Sequence, residues 1–519
     1  VGQWVAKDLL VPEMKYADLK AKLEDVDVLF VFCASNYAEY RTLTPWLKKS
    51  ENHFLIFIEI QEEQFLKAKE LPFAKDPKVR LFYAKKESEE IFHQIAWEFV
   101  FLRFAYTAPL PPFQEDAEEF FQRMEHYHRG VDLLASDSED TGVRVLANAL
   151  KNLSMLPESL LGSSLEGKCE GMTAVICGAG PSLNAAMSLL GSLKEKAVLI
   201  AGGSAVCALN AQGINPHIYA NIDPEPPYKR FLAQDSFEVP FFYQGRFCND
   251  LLQVVHGPLF WMPDAGSYPI ESWLAAECGI FAERFDAGWT VANFCTSLAA
   301  HLGCSTLIFV GMDFSCGPEV IYASKIAGEE NREALIELEK DRLYSKRDWL
   351  MAAEWMGDFA KKNPSIHCVN ATAGGIDLPG IERKSLDEMA ALLLPQCDIQ
   401  SAVQSLQGLA AASNVTLEKV AAVRQRVLVS FEKTLALCEA LLKMWEKSFP
   451  HSPMQQGDYA LLEYDLEQEV CASHFLIPQW SVWKRPILRS SFHELGQHIH
   501  RLLFFKKAIE LHLPYLRLL

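Results

Sequence analysis

The residues best suited to chemistry lie in Val175-Ile176-Cys177-Gly178-Ala179-Gly180-Pro181-Ser182-Leu183-Asn184, where an apolar run breaks into Gly-Ala-Gly-Pro-Ser and a helical pattern follows. A buried strand that ends in glycines lets the backbone approach a phosphate closely, and the next helix aims its free N–H groups at that anion. Pro181 suits a first helical turn, where its missing N–H costs nothing, and Ser182 adds a hydroxyl. The same residues also make a tight strand-to-helix turn with no ligand, and both readings stand at this level. The stretch lacks the third glycine of a dinucleotide fingerprint and the Gly-Lys-Ser/Thr of a Walker A loop.

Further motifs follow in order. Ala201-Gly202-Gly203-Ser204-Ala205 repeats the strand-to-helix turn, and Gly213-Ile214-Asn215-Pro216 leads to Asn221-Ile222-Asp223-Pro224-Glu225. Asp223, at a strand end, is a carboxylate for a metal, a sugar hydroxyl or a water, or else a plain cap. Thr290, in Gly288-Trp289-Thr290-Val291-Ala292-Asn293, sits at an N-cap, which is also an anion-binding position. Asp313 closes Leu307 to Val310 and the turn Gly311-Met312, and Asn370-Ala371-Thr372-Ala373-Gly374-Gly375 gathers small polar groups beside Pro379-Gly380. His217 and His301 read as core or surface residues before they read as bases.

Elements must carry these residues to one place. Strands are expected at 174–177, 197–201, 217–222, 241–244, 259–262, 306–310 and 367–370, alternating with helices, which is the pattern of a parallel sheet. The N-terminal region repeats it with strands at 26–32, 54–59 and 79–83. There Glu59 takes the place of a ribose-binding acid. Its first turn, Cys33-Ala34-Ser35-Asn36, has no glycine, so a structural or degenerate domain is favoured. The expected organisation is an N-terminal Rossmann-like domain at 1–112 and a helical connector at 113–156, broken by Ser136-Asp137-Ser138-Glu139-Asp140. A central nucleotide-binding domain at 157–394 and a helical domain at 395–519 follow. The aromatic stretch His474, Phe475, Trp480 and Trp483 has helical spacing and reads as core, with a partner-docking face as the alternative.

Composition narrows the classes. A formal charge of −18 argues against general nucleic-acid binding, while half the 519 residues are hydrophobic and 22% charged, enough for a large core. The 13 cysteines occur singly, without Cys-x-x-Cys, and fit reduced buried thiols. Residues 1–15 lack a signal-peptide core and no run reaches the length of a membrane span, so a cytoplasmic protein is expected.

Taken together, Gly-x-Gly-Pro-Ser-Leu, Gly-Ile-x-Pro with its strand-end Asp, Gly-x-x-Val-Ala, Gly-x-Asp and Asn-Ala-Thr-x-Gly-Gly resemble the motility accessory factor (Maf) and MptE-like family, closely over 165–394. The resemblance implies an α/β fold whose central Rossmann-like parallel sheet is like that of CMP-sugar sialyltransferases. It implies a glycosyltransferase that moves a sugar, a nonulosonic acid from a CMP-sugar, onto a Ser/Thr hydroxyl of a protein acceptor, flagellin-like in this family. The MptE-like alternative is ATP-dependent diphosphate transfer to a hydroxymethylpterin. A non-catalytic nucleotide-binding scaffold is the third reading. Carried onto this chain, Gly178, Gly180, Pro181, Ser182, Gly203, Ser204, Thr290, Asn370, Thr372, Gly374 and Gly375 hold the nucleotide or donor, and Asp223 and Asp313 are the catalytic candidates. No cofactor is expected for glycosyl transfer. Mg²⁺ enters only with the kinase reading, on Asp223 and Glu225. The chain departs from the family at Trp289, Met312 and Ala373, where polar residues are common.

Overall fold

Uninterrupted apolar runs between helical stretches build a parallel sheet at the start of the chain. This computed structural model describes residues 4–9, 22–34, 37–50, 52–84, 90–107, 113–228, 235–264, 268–318, 320–326, 335–338, 343–394, 398–448, 451–488 and 494–519. They form two units, Val1–Glu139 with Phe431–Leu511, and Asp140–Ser430 with His512–Leu519.

The first unit carries β1 (Trp4–Leu9), β2 (Val28–Phe32), β3 (Phe54–Glu59), β4 (Val79–Tyr83) and β5 (Phe104–Thr107). They lie in the order β1-β5-β2-β3-β4, all parallel. Val28, Phe30, Phe54, Ile56 and Ile58 face one core, while Leu29, Val31, Leu55 and Phe57 face another. Strand alternation thus buries both faces. On the sides of this sheet run α1 (Ala38–Leu47), α2 (Glu62–Lys69), α3 (Glu90–Glu98) and the start of α4 (Gln114–Asn152). Glu59 is buried and accepts the Tyr37 hydroxyl at 2.9 Å, and burial raises its pKa. Ser35, Asn36 and the proline-rich 108–112 lie outside the described residues.

The expected break at Ser136–Asp140 does not occur: α4 is continuous. The segment contains neither Gly nor Pro, and the Ser136 hydroxyl donates to the Asp132 carbonyl at 2.9 Å, a bond made within a helix. Polar residues without a breaker do not by themselves stop a helix.

The second unit holds a ten-stranded sheet. Its strands are β6 (Leu160–Leu161), β7 (Thr173–Cys177), β8 (Val198–Gly202), β9 (Ile218–Asn221), β10 (Phe241–Tyr243), β11 (Leu259–Trp261) and β12 (Thr306–Val310). A hairpin of β13 (Ile336–Glu337) and β14 (Tyr344–Ser345) stands apart, and β15 (His367–Asn370), β16 (Glu382–Arg383) and β17 (Ala411–Ala412) complete the sheet. All seven central strands expected from the sequence form, each within one residue of its expected ends. The order is β16-β15-β12-β7-β8-β9-β10-β11-β6-β17, parallel except for β17 against β6. From β7 the chain steps outward through β8 to β11, then returns to lay β12 on the other side of β7. That reversal is a topological switch point, where open α/β sheets bind ligands at the strands' carboxyl ends.

Helices α5 (Leu183–Leu193), α6 (Ala205–Asn210), α7 (Val291–His301) and α8 (Arg347–Lys362) flank this sheet. Phe294 and Leu298 of α7, Leu302 at its C-cap and Met356 of α8 pack on Ile176, Val198 and Ile200. The remaining long helices are α9 (Leu417–Ser448), α10 (Gly457–Gln468), α11 (Ile477–Leu488) and α12 (Glu494–Leu516). Phe475 is buried, and the half-buried Trp480 packs on Phe504 with ring centroids 5.5 Å apart. Every cysteine among the described residues is buried and outside any disulfide, and no described helix is long and apolar enough to cross a membrane.

Candidate functional site

The Gly178–Ser182 turn leaves β7 at the switch point, and its glycines answer first to packing. The Gly178 N–H donates to Val310 O at 2.7 Å and the Gly180 N–H to Gly311 O at 2.9 Å. A Cβ on Gly178 would stand 2.4 Å from Gly311 O, and one on Gly180 only 1.9 Å from Asp313 Oδ2. No other residue fits at either place. The first amides of α5 also turn inward: those of Leu183, Asn184 and Ala185 donate to the carbonyls of Gly180, Pro181 and Ser182. Among the described residues the Ala179 N–H bonds no partner. The turn is therefore less of an open anion cradle than its sequence suggests, because its donors are engaged by β12 and by its own helix.

Asp313 is the hub of this seam. Its Oδ2 accepts the Ser182 hydroxyl at 2.7 Å, and its Oδ1 accepts the Ser182 N–H at a long 3.4 Å. Its carbonyl accepts the Ile376 N–H at 3.0 Å. Gly375, at φ +75°, presses so closely that a Cβ would meet that carbonyl oxygen at 2.3 Å, and a Cβ on Gly374 would lie 3.3 Å from Oδ1. Burial raises the carboxyl's pKa, while the Ser182 hydrogen bonds and the charge of Arg383 pull it back down. Thr372 Oγ1 accepts the Met312 N–H at 3.1 Å and Asn370 Oδ1 accepts the Thr372 N–H at 3.0 Å. So Ser182, Asp313, Asn370, Thr372, Gly374 and Gly375 come together around the ends of β7, β12 and β15. A strap crosses the turn: the Ala323 N–H donates to Ala179 O at 3.0 Å, and Ser324 bonds Asn184 Oδ1 through its hydroxyl at 2.7 Å.

On the other side of β7, Gly202 ends β8 and Gly203 follows it. A Cβ on Gly202 would meet Val291 Cγ1 at 2.3 Å, which brings the start of α7 over this strand end. Ser204 follows at the N-cap of α6. Thr290 caps α7 reciprocally with Asn293: the Thr290 hydroxyl donates to Asn293 Oδ1 at 3.0 Å and accepts the Asn293 N–H at 3.4 Å. Its side chain thus serves the helix start first. Trp289 and Met312, two of the three apolar departures, pack in the central core cluster, whereas Ala373 is exposed.

Asp223 follows β9 and is half-buried, with its Oδ1 accepting the Glu225 N–H at 2.9 Å. Glu225 is exposed and ion-pairs with Arg144. Asp223 and Asp313 follow strands three positions apart, about 14 Å at the usual ~4.8 Å strand spacing. They do not form a proton-exchanging pair, and no group of three or more His, Cys, Asp or Glu among the described residues is placed to hold a metal ion. His217 is core: its Nδ1 accepts the Leu199 N–H at 2.9 Å, and burial, helped by Lys194, pushes its pKa down to about 4. His301 Nε2 lies 3.2 Å from Gly162 O.

Sequence reasoning missed an asparagine ladder at the end of α4. Asn148 Nδ2 donates to Pro224 O at 2.9 Å and Arg246 O at 3.1 Å, and Asn152 Nδ2 to Gly245 O at 2.8 Å and Phe247 O at 2.7 Å. Asn249 Nδ2 donates to Asn152 Oδ1 at 2.9 Å. Together they fix the loops after β9 and β10, beside Asp223. Their i, i+4 spacing on one helix face was the available signal.

Residues 147–318 match the family model described as 6-hydroxymethylpterin diphosphokinase MptE-like. This stretch of the chain is similar to the MptE-like family. The matched stretch runs from the asparagine ladder to Asp313 and so contains β7 to β12 and the switch point. The whole chain also resembles the solved structure of a Maf glycosyltransferase from Magnetospirillum magneticum AMB-1, with a TM-score of 0.57 and 13% identity. That match covers 95% of this chain and 80% of the other, a likeness of fold. No curated protein matches the sequence.

Proposed function

We propose that the chain is a glycosyltransferase of the Maf type, transferring a sugar, a nonulosonic acid, from a CMP-sugar to a Ser/Thr hydroxyl of a protein. The observation that carries the reading is convergence: the turns after β7, β8, β9, β12 and β15 lie along one carboxyl edge of the sheet, around the switch point. The MptE-like match and the likeness to a Maf glycosyltransferase support it.

When the sugar–phosphate bond breaks, negative charge grows on the leaving CMP, and the site needs donors there and a base for the acceptor hydroxyl. In this reading the Ala179 N–H and the Gly203-Ser204 turn face the nucleotide, while Ser182 and Asp313 hold the β7 turn in shape rather than touching the reacting atoms. Asp223 takes the proton of the acceptor hydroxyl. Asn370, Thr372, Gly374 and Gly375 bound the far side of the pocket, and Thr290 sets the start of α7.

The family description favours a second reading, diphosphate transfer from ATP. Magnesium would rest on Asp223 and the phosphates, since Glu225 pairs with Arg144 and Asp313 with Ser182.

A thermal-shift series with CMP, CMP-sugars and ATP plus Mg²⁺ separates the readings. A ligand at a hundred times its Kd stabilises the native protein by about 2.7 kcal/mol. A shift with CMP that survives EDTA is expected. A shift with ATP that EDTA abolishes supports the kinase, and no shift with any nucleotide leaves a non-catalytic scaffold.

A further inference from the structure

Arg144, Asn148 and Asn152 follow one another at i, i+4 and i+8 of α4 and share one helix face. The first two reach the loop that carries Asp223. Asn148 Nδ2 donates to Pro224 O at 2.9 Å, and the Arg144 guanidinium pairs with the Glu225 carboxylate. Pro224 and Glu225 share one peptide unit. Its C=O is the group that Asn148 holds, and its N–H donates to Asp223 Oδ1 at 2.9 Å. A peptide unit is planar, and in its ordinary trans form the C=O and N–H point opposite ways. Fixing the oxygen on one side therefore fixes where the N–H aims on the other.

The Asp223 backbone is tied elsewhere. Asn221 Oδ1 accepts the Asp223 N–H at 3.0 Å, and Asp223 O accepts the Cys248 N–H at 3.2 Å. With the backbone held, the Pro224–Glu225 peptide sets the direction of the carboxylate. Asn148 is itself anchored: its Nδ2 also donates to Arg246 O at 3.1 Å, and its Oδ1 accepts the Asn249 N–H at 3.4 Å. Hydrogen bonds in series polarise one another, so an amide on the Pro224 carbonyl makes the Glu225 N–H a stronger donor to Asp223. The Arg144 and Glu225 side chains are each 51% exposed, so water screens their pair and Asn148 carries the larger part.

We propose that Asn148, with Arg144 as its lesser companion, is a positioning residue for Asp223 and acts through the Pro224–Glu225 peptide. This role rests on the reading in which Asp223 takes the acceptor proton. In that step the sugar–phosphate bond breaks with its electron pair on CMP, the acceptor oxygen bonds to the sugar, and the acceptor proton passes to an Asp223 oxygen. The proton moves only when the carboxylate stands within hydrogen-bond reach of the acceptor. A misaimed carboxylate slows the step and leaves donor binding alone, because the turns that face the nucleotide follow β7 and β8, whereas Asp223 follows β9.

The test uses the full chain and follows CMP release from CMP-N-acetylneuraminic acid, with water as the acceptor. The parent is compared with Asn148→Ala, Arg144→Gln, Asp223→Asn and the double variant Asn148→Ala, Asp223→Asn. Asn148→Ala should lower kcat roughly tenfold or more, with the donor KM as in the parent. Residues that act through one another are not additive, so the double variant should be no slower than Asp223→Asn alone. Arg144→Gln removes a screened pair and should slow release about threefold, and Arg144→Lys should restore it. The proposal is overturned if Asn148→Ala releases CMP at the parent rate, if its loss appears as a higher KM, or if the same loss recurs in the Asp223→Asn background. A parent rate in Asp223→Asn, or a parent that releases no CMP, overturns instead the reading of Asp223 and the role of Asn148 with it. If Asn148→Ala melts early, the Arg144 variants, on an exposed side chain, decide the matter: a slowed rate that Lys restores supports the role, and a parent rate in Arg144→Gln overturns it.

Discussion

The Ser182 hydroxyl donates to Asp313 Oδ2 at 2.7 Å, joining the turn after β7 to the turn after β12 across the topological switch point. The two residues are 131 positions apart, yet each sets the other's geometry. Gly180 is a glycine because that carboxylate occupies the place of its Cβ.

Ser182→Ala removes a hydrogen bond to a carboxyl group and is expected to cost about 1.5–3 kcal/mol in urea unfolding. Asp313→Asn keeps the shape and should cost less than Asp313→Ala. In a double-mutant cycle Ser182→Ala and Asp313→Ala should show a coupling of at least 0.5 kcal/mol in order of magnitude. Additive effects would mean that the contact carries no energy.

Gly180→Ala and Gly191→Ala make a matched pair. The first puts a methyl group on Asp313 Oδ2, and overpacking of this kind costs roughly 1–3 kcal/mol. The second adds a methyl group to open space in α5 and should stabilise by about 0.5–1 kcal/mol. Melting temperatures moving in opposite directions are the expected result.

Asn152→Ala deprives the Gly245 and Phe247 carbonyls and the Asn249 amide of a buried partner. Each orphaned group costs about 1–3 kcal/mol. Faster hydrogen exchange at 245–249 should accompany the loss. Asn152→Asp should resemble Asn152→Ala, because it too removes the donor, so a silent Asp variant would count against the ladder.

Glu271 governs a pH effect. It is buried, its Oε1 has no hydrogen-bond partner among the described residues, and burial, then the neighbouring Asp264 carboxylate, raises its pKa well above the ordinary value, against the pull of Arg246. Tyr268 lies beside Arg246, 5.7 Å from it. For an acid whose folded pKa is raised, the native state keeps a proton that the unfolded chain has already released, so stability falls as pH rises. The loss starts near the unfolded glutamate pKa of about 4.3 and continues up to the raised folded value. Glu271→Gln should flatten this slope between pH 5 and 8, on the order of one proton's contribution, in urea midpoints measured across that range. An unchanged slope would show that Glu271 does not titrate differently on folding.

The strands at 173–177, 198–202 and 306–310 were legible because a buried parallel strand is a short apolar run bounded by glycine or polar residues, a purely local signal. The motif order that points to the MptE-like core was legible for the same reason. The continuity of α4 was not: Ser136 to Asp140 look like a turn, but without Gly or Pro nothing in the backbone stops the helix. Short strands such as Leu160–Leu161 and Glu382–Arg383 carry no period at all.

By itself, then, the sequence determined where the long central strands lie, and that glycines and acids stand at their ends. Only the tertiary structure decided that Asp313 neighbours Ser182 and Gly374 while Asp223 lies three strands away, held beside the asparagines of α4. Strand order follows from long-range pairing and the return of β12 past β7, and no local propensity encodes which strand ends become neighbours.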